Sequence, residues 1–204
     1  MHHQNAVQPY NQPDRPDGRR IIFTLNGTTM SSLPIHERIP TSVQEALNHD
    51  SDNDFAIAMS NLVYTREATI GFDALTEPER VVFCLDKLEQ EINNGGFEQY
   101  FHNSSGDIAA VTPSALRAMG ASQVATIVEK ALELFPNSQP PIDQSQRQLQ
   151  MESWGSEEQD TLENINMAFL AYPEPLAKLE RAYVQKHENF FLVPRNAGQS
   201  VCAI

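Results

Sequence analysis

Residues 93–107 read NNGGFEQYFHNSSGD, and this stretch decides how the chain folds. Gly95 and Gly96 supply backbone freedom that no other residue supplies without strain, so one helix can stop and another start within two residues. Phe97, Tyr100 and Phe101 follow at i, i+3, i+4, which places three rings on one face of a short helix. Such rings read as core, because an aromatic platform for nucleic acid needs basic neighbours and Glu98 stands among them. Asn103, Ser104, Ser105, Gly106 and Asp107 then form a polar loop whose short side chains can bond their own backbone and hold a turn. Asn94, Gly95, Gly96, Phe97, Tyr100, Phe101 and residues 103–107 are thus a structural motif.

Helix signals extend outward in both directions. Thr76 with Glu79 makes a capping box, and Pro78 sits in the first turn, where its missing N–H costs nothing. The helix that begins there sets Val81, Leu85, Leu88 and Ile92 on one face and ends at the glycine pair. Upstream, helices are expected near 42–49 and 54–67, the second with a Phe55, Met59, Leu62, Val63 stripe. Downstream, Thr112-Pro113 opens a helix to Met119 that Gly120 closes, and Ser122 caps one running to Phe135 with Val124, Ile127, Val128, Ala131 and Leu132 inward. A helix over 143–152 follows the Pro140-Pro141 loop. Ser156 with Gln159 forms a second capping box for a helix to Leu170, and the last helix spans 174–188 with Glu174 in its first turn and Lys186 and His187 in its last. The fold class is all-α: a multi-helix bundle with a flexible N-terminal arm and at most one small β-ribbon.

The arm is residues 1–40, Pro-, Gln- and Asn-rich at its start, with a ribbon signal where Arg20–Leu25 meets Asn26-Gly27. An acidic helical domain follows over 41–193, and a tail over 194–204. Net charge is −13, and residues 1–40 carry three acids against four bases, so the whole excess of acid belongs to the helical part. A field of that sign repels nucleic acid and anionic membranes and attracts basic protein surfaces, which argues against direct nucleic-acid binding. No apolar run approaches the roughly 20 residues of a membrane span, and no secretory h-region is visible. Cys84 and Cys202 suit reduced thiols, and the expected compartment is the cytoplasm.

The strings NGGFEQYFHNSSGD (94–107), ALRAMGA (115–121) and VEKALELFP (128–136), with the later acidic helix, resemble the bacterial DNA-mimic protein family over residues 74–193. The resemblance implies an all-helical, acidic, often dimeric protein that occupies the nucleic-acid site of a DNA-binding partner. Such a partner would be a helix-turn-helix regulator, a nucleoid protein or a defence protein.

The 157–170 helix carries the best acidic face. Leu162, Ile165 and Phe169 fall within about 60° of one another, with Glu157, Asp160 and Glu163 on the far side. Five acids and no base lie between Glu152 and Glu163. Carboxylates at i, i+3 or i+4 stand about 5–6 Å apart at Cβ, a spacing that can meet Lys and Arg arranged for phosphates. The expected partner-binding set is Glu152, Trp154, Glu157, Glu158, Asp160 and Glu163, with Asp86 and Glu89 of the 77–94 helix, and Trp154 as an exposed aromatic anchor. The bland reading is that any soluble helix needs a solvated face.

Other constellations carry less. Asp50, Asp52 and Asp54 alternate like a calcium loop, but Phe55 and Asn61 occupy the positions that need Gly and Glu, so a helix cap is the better reading. Glu98 and His102 are an i, i+4 surface pair, and the six His show no ligand spacing, so no catalytic residue, metal or cofactor is expected. Two alternatives to a DNA mimic stay open: an immunity or antitoxin-like protein neutralising a basic toxin, and an enzyme built around the 93–107 loop.

Overall fold

The computed structural model describes residues 40–192, and among them the chain forms eight α-helices joined by short loops and 3₁₀ turns, with no strand. These are α1 (Val43–Leu47), α2 (Asp52–Ile70), α3 (Glu77–His102), α4 (Thr112–Met119), α5 (Ser122–Leu132), α6 (Gln144–Glu152), α7 (Ser156–Leu170) and α8 (Leu176–His187). The expected arm with its ribbon, and the tail, lie outside the described residues. No helix among those described is long and apolar enough to cross a membrane.

Helix α3 is the axis of the bundle, with α2, α4, α6, α7 and α8 all packed on it. Its long apolar stripe explains this. Val81, Leu85, Leu88 and Ile92 are all buried, as are Phe97, Tyr100 and Phe101 beyond the kink. The capping box at its start is present as read: Glu79 N–H donates to Thr76 Oγ1 (3.3 Å) and Thr76 N–H to Glu79 Oε2 (2.8 Å). Glu79 goes further than a cap, because its other oxygen pairs with Arg66 of α2 (2.8 Å) and accepts Leu192 N–H (2.7 Å).

Four helix starts differ from the sequence reading, those of α2, α5, α7 and α8. Ser51, not an aspartate, caps α2 through Asp54 N–H (3.0 Å). Ser122 is the first residue of α5 rather than its cap, and Glu174, some fifty residues away, accepts Val124 N–H (2.9 Å) in its place. Glu174 therefore precedes α8, which begins at Leu176. On α7, Ser156 again lies inside the helix, and Glu158 reaches back to the Gly155 N–H (2.9 Å). Gly120 closes α4 in the left-handed conformation as expected (φ 96°). Ile127 is half-buried rather than buried, because a groove between α5 and α7 leaves it open on one side.

Candidate protein interface

The second half of α3, residues 97–102, is only six residues long and would not hold its shape alone. Its two ends are fastened by other helices. At the start, Gly96 adopts φ 72°, ψ −173°, a region essentially reserved for glycine, and turns the chain so that Phe97 N–H meets Asn166 Oδ1 of α7 (2.8 Å). A Cβ on Gly96 would lie within 3.0 Å of the Asn166 amide, so glycine is required by the close approach as well as by the dihedral.

At the other end α6 supplies the cap. Gln144 and Gln148 donate to His102 O (2.9 and 2.8 Å), and the fully buried Arg147 donates from Nε to Phe101 O (2.5 Å). The same guanidinium reaches Asn103 O and Asp107 Oδ1 (both 2.8 Å), Pro141 O (2.6 Å) and Ile142 O (3.0 Å). A cation is favoured there, since the carbonyls at a helix C-terminus carry the negative end of the macrodipole. Residues 144, 147 and 148 share one face at helical spacing, which makes α6 a cap for α3.

Inside the turn, buried Glu91 accepts Gln99 Nε2 (2.6 Å), Asn103 Nδ2 (2.9 Å) and Ser105 Oγ (2.7 Å). The polar loop therefore bonds a distant carboxylate and Arg147 more than its own backbone. Around it the rings interlock: Phe101 with Phe135 at 4.9 Å, and Phe135 with Trp154 at 5.1 Å between centroids. Tyr100 hydroxyl donates to Thr112 Oγ1 (2.8 Å), and burial pushes its pKa well above the usual phenol range. The side chains of Asn103, Ser105 and Asp107 are thus committed to holding helices, while Glu98 and His102 sit exposed at the rim. Cys84 is equally unsuited to chemistry, since burial raises its thiol to about 12.

These fastenings set α7 as an edge helix that rests on Leu162, Ile165 and Phe169 and leaves the rest of its circumference open. Glu157, Asp160 and Glu163 are exposed on the outward side, as is Glu152 at the end of α6. Among the described residues no ion pair involves these four carboxylates. Glu158 is half-buried and serves the helix start. The other members of the expected set fall elsewhere. Trp154 is half-buried against Phe135, not an exposed anchor, because the aromatic cluster claims its ring. Asp86 and Glu89 are buried on α3, which separates them from the α7 face. They stand near Glu180 of α8 and Tyr64 of α2, whose hydroxyl is held far above the usual range by burial first and then by Asp86, Glu180, Glu91 and Glu89.

A family model described as DMP19-like protein matches residues 73–187, more than half of the chain. The chain belongs to that family. At the family level it is a protein of DNA-mimic type, as the resemblance in the 94–136 strings implied. No curated protein and no solved structure matches it. Within the matched span, sequence reading missed Glu91, Arg147 and Asn166, of which only the Gln144, Arg147, Gln148 spacing left a local trace.

Proposed function

We propose that this protein acts as a DNA mimic: the outward face of α7 binds the DNA-binding surface of a basic protein and keeps that protein from DNA. The observation that supports this reading best is a run of exposed carboxylates, Glu157, Asp160 and Glu163, on a helix without a single base, in a chain of the DNA-mimic family. Glu152 extends the run on the same connection. A positive groove shaped for phosphates meets this ridge with its Lys and Arg already placed, so association gains both rate and specificity from charge.

The test begins with capture of the partner at low salt and its identification by mass spectrometry. Glu157→Gln, Asp160→Asn and Glu163→Gln together then remove three charges while keeping shape. Each exposed ion pair contributes about 0.2–1 kcal/mol, so the triple variant binds roughly 3- to 150-fold more weakly at low salt, and DNA competes with the parent. Unchanged affinity, or failure of DNA to compete, overturns the reading.

A further inference from the structure

The outward ridge of α7 does not stay acidic. Asp160, Glu163, Met167 and Leu170 recur at spacings of three, four and three, so they form one stripe on the side away from Leu162, Ile165 and Phe169. The acids occupy its N-terminal half, where the macrodipole alone would favour them. Nothing in helix physics calls for the other half: Met167 is 56% and Leu170 44% exposed.

Leu170 also forms one wall of a cleft of about 570 Å³ whose other walls include Tyr172, Pro173, Pro175 and Leu176. The turn that makes these walls is tied on two sides, by Tyr172 hydroxyl to Asn93 Oδ1 (2.8 Å) and by Glu174 to Val124 N–H. Tyr172 itself takes a positive φ of 48°. The tethers fix the turn to α3 and α5, with Asp52 and Asn53 of α2 and Glu89 of α3 lining the rest of the cleft, which is open before anything enters it. Preformed apolar clefts of this size bind without the cost of ordering their walls. Carboxylates border it too, Asp52, Glu89 and Glu174, and so does Lys178.

We propose that this cleft, together with Met167 and Leu170, seats an apolar side chain of a basic amphipathic helix belonging to the protein partner, while the cations of that helix meet Asp160 and Glu163. The inference rests on the DNA-mimic reading and deepens it. A base-free acidic half-stripe continuous with an apolar half-stripe is complementary to a helix that carries Lys or Arg at one end of its face and Leu or Ile at the other. DNA has no counterpart to the apolar half. A mimic built this way holds its target by a contact that salt does not screen and that selects among basic proteins.

The experiment uses two synthetic helical peptides of about four turns and identical charge. One bears Lys on the first half of a face and Leu on the second, and the other has Gln at each Leu. Both are titrated against the full chain carrying ¹³C-methyl methionine, at low salt and at about 0.3 M salt. The expected result is that the Leu peptide binds about tenfold or more tighter than the Gln peptide, and that this ratio persists at the higher salt. The Met167 methyl signal shifts with the Leu peptide alone. Met167→Gln with Leu170→Gln brings the Leu peptide down to the Gln peptide and leaves the latter unchanged. Equal affinities, or a double variant without effect, overturn the docking site, and the charge reading survives if both peptides still weaken with the triple neutralisation. If neither peptide binds at low salt, both readings fall. If the double variant changes the sedimentation of the protein alone, a second copy covers this face and the proposal is wrong.

Discussion

Replacing Arg147 with Met should be among the most damaging single changes in this fold. The side chain is wholly buried and donates five hydrogen bonds, four to backbone carbonyls and one to Asp107. Methionine keeps most of the volume and none of the donors. Phe101 O would be stranded inside the bundle, while Asn103 O keeps the Gly106 N–H (3.0 Å) and Pro141 O and Ile142 O, in the loop before α6, can return to water. One stranded acceptor costs about 1–3 kcal/mol, and Asp107, whose side chain is 43% exposed, is left to water rather than as a buried charge. The four other bonds lost, at about 0.5 kcal/mol each because their acceptors keep a partner or return to water, bring the total to about 3–5 kcal/mol, a large share of the roughly 5–15 kcal/mol that a domain of this kind possesses. Urea unfolding followed by helical circular dichroism should show a midpoint lowered by about 2 M, given slopes of about 1–3 kcal/mol/M. Arg147→Lys should recover only part of the loss, because one ammonium cannot span carbonyls that a planar fork reaches. A loss below about 1 kcal/mol for Arg147→Met would refute the claim that α6 caps α3 through this residue.

Three more outcomes follow from the same geometry. Gly96→Ala should cost about 2–3 kcal/mol, since its dihedrals lie where only glycine is at ease, whereas Gly95→Ala, at φ −158°, escapes the left-handed penalty and meets one side chain, Gln99, whose Cβ at 2.9 Å has to give way, and should cost less; equal costs in thermal unfolding would remove the kink argument. Gly106→Ala puts a methyl group onto the Arg147 guanidinium and should destabilise the protein without any backbone penalty, an effect that largely vanishes when measured in the Arg147→Met background by a double-mutant cycle. In a Cys202→Ser chain, Cys84 should resist a thiol reagent at pH 8, where a pKa near 12 leaves about one thiolate in ten thousand, and should react at once on unfolding.

What could be read from the sequence was local. The Thr76–Glu79 box, the Gly96 turn and the three rings at i, i+3, i+4 each depend on residues within a few positions, and each stands as read. What could not be read was the set of partners that complete those features. Arg147 lies 46 residues from Phe101, and Asn166 lies 69 from Phe97. A lone Arg in a Gln-rich helix looks like a solvated residue until the helix is seen against the end of another. The same blindness misplaced Ser122: a serine before a helix is a good cap only if no better acceptor arrives, and Glu174 took the Val124 N–H, whereas Ser156 was one residue off, since Glu158 bonds the Gly155 N–H. Asp86 and Glu89 show the converse error. Charge was read as exposure, and tertiary packing put both carboxylates inside.

The acidic surface follows from where the arginines go as much as from the number of acids. Arg147 points at the end of α3. Arg181 points at the join of α1 and α2, donating to Leu47 O (3.3 Å), His49 O (2.8 Å) and Ser51 O (2.7 Å) and pairing with Asp52 (2.7 Å). Arg66 is drawn to buried Glu79, and the Lys87 ammonium lies 4.5 Å from the centre of the Tyr64 ring. Arg147, Arg181 and Arg66 each balance one carboxylate, Asp107, Asp52 and Glu79, and Lys87 lies over an aromatic face, so none of these four cations is paired with the acids of α7. The motif at 94–107 and the open face of α7 are in this sense one device. Arg147 goes inward to hold the motif, Asn166 ties α7 to the motif's first amide, and the carboxylates of α7 keep their field for a cation from outside.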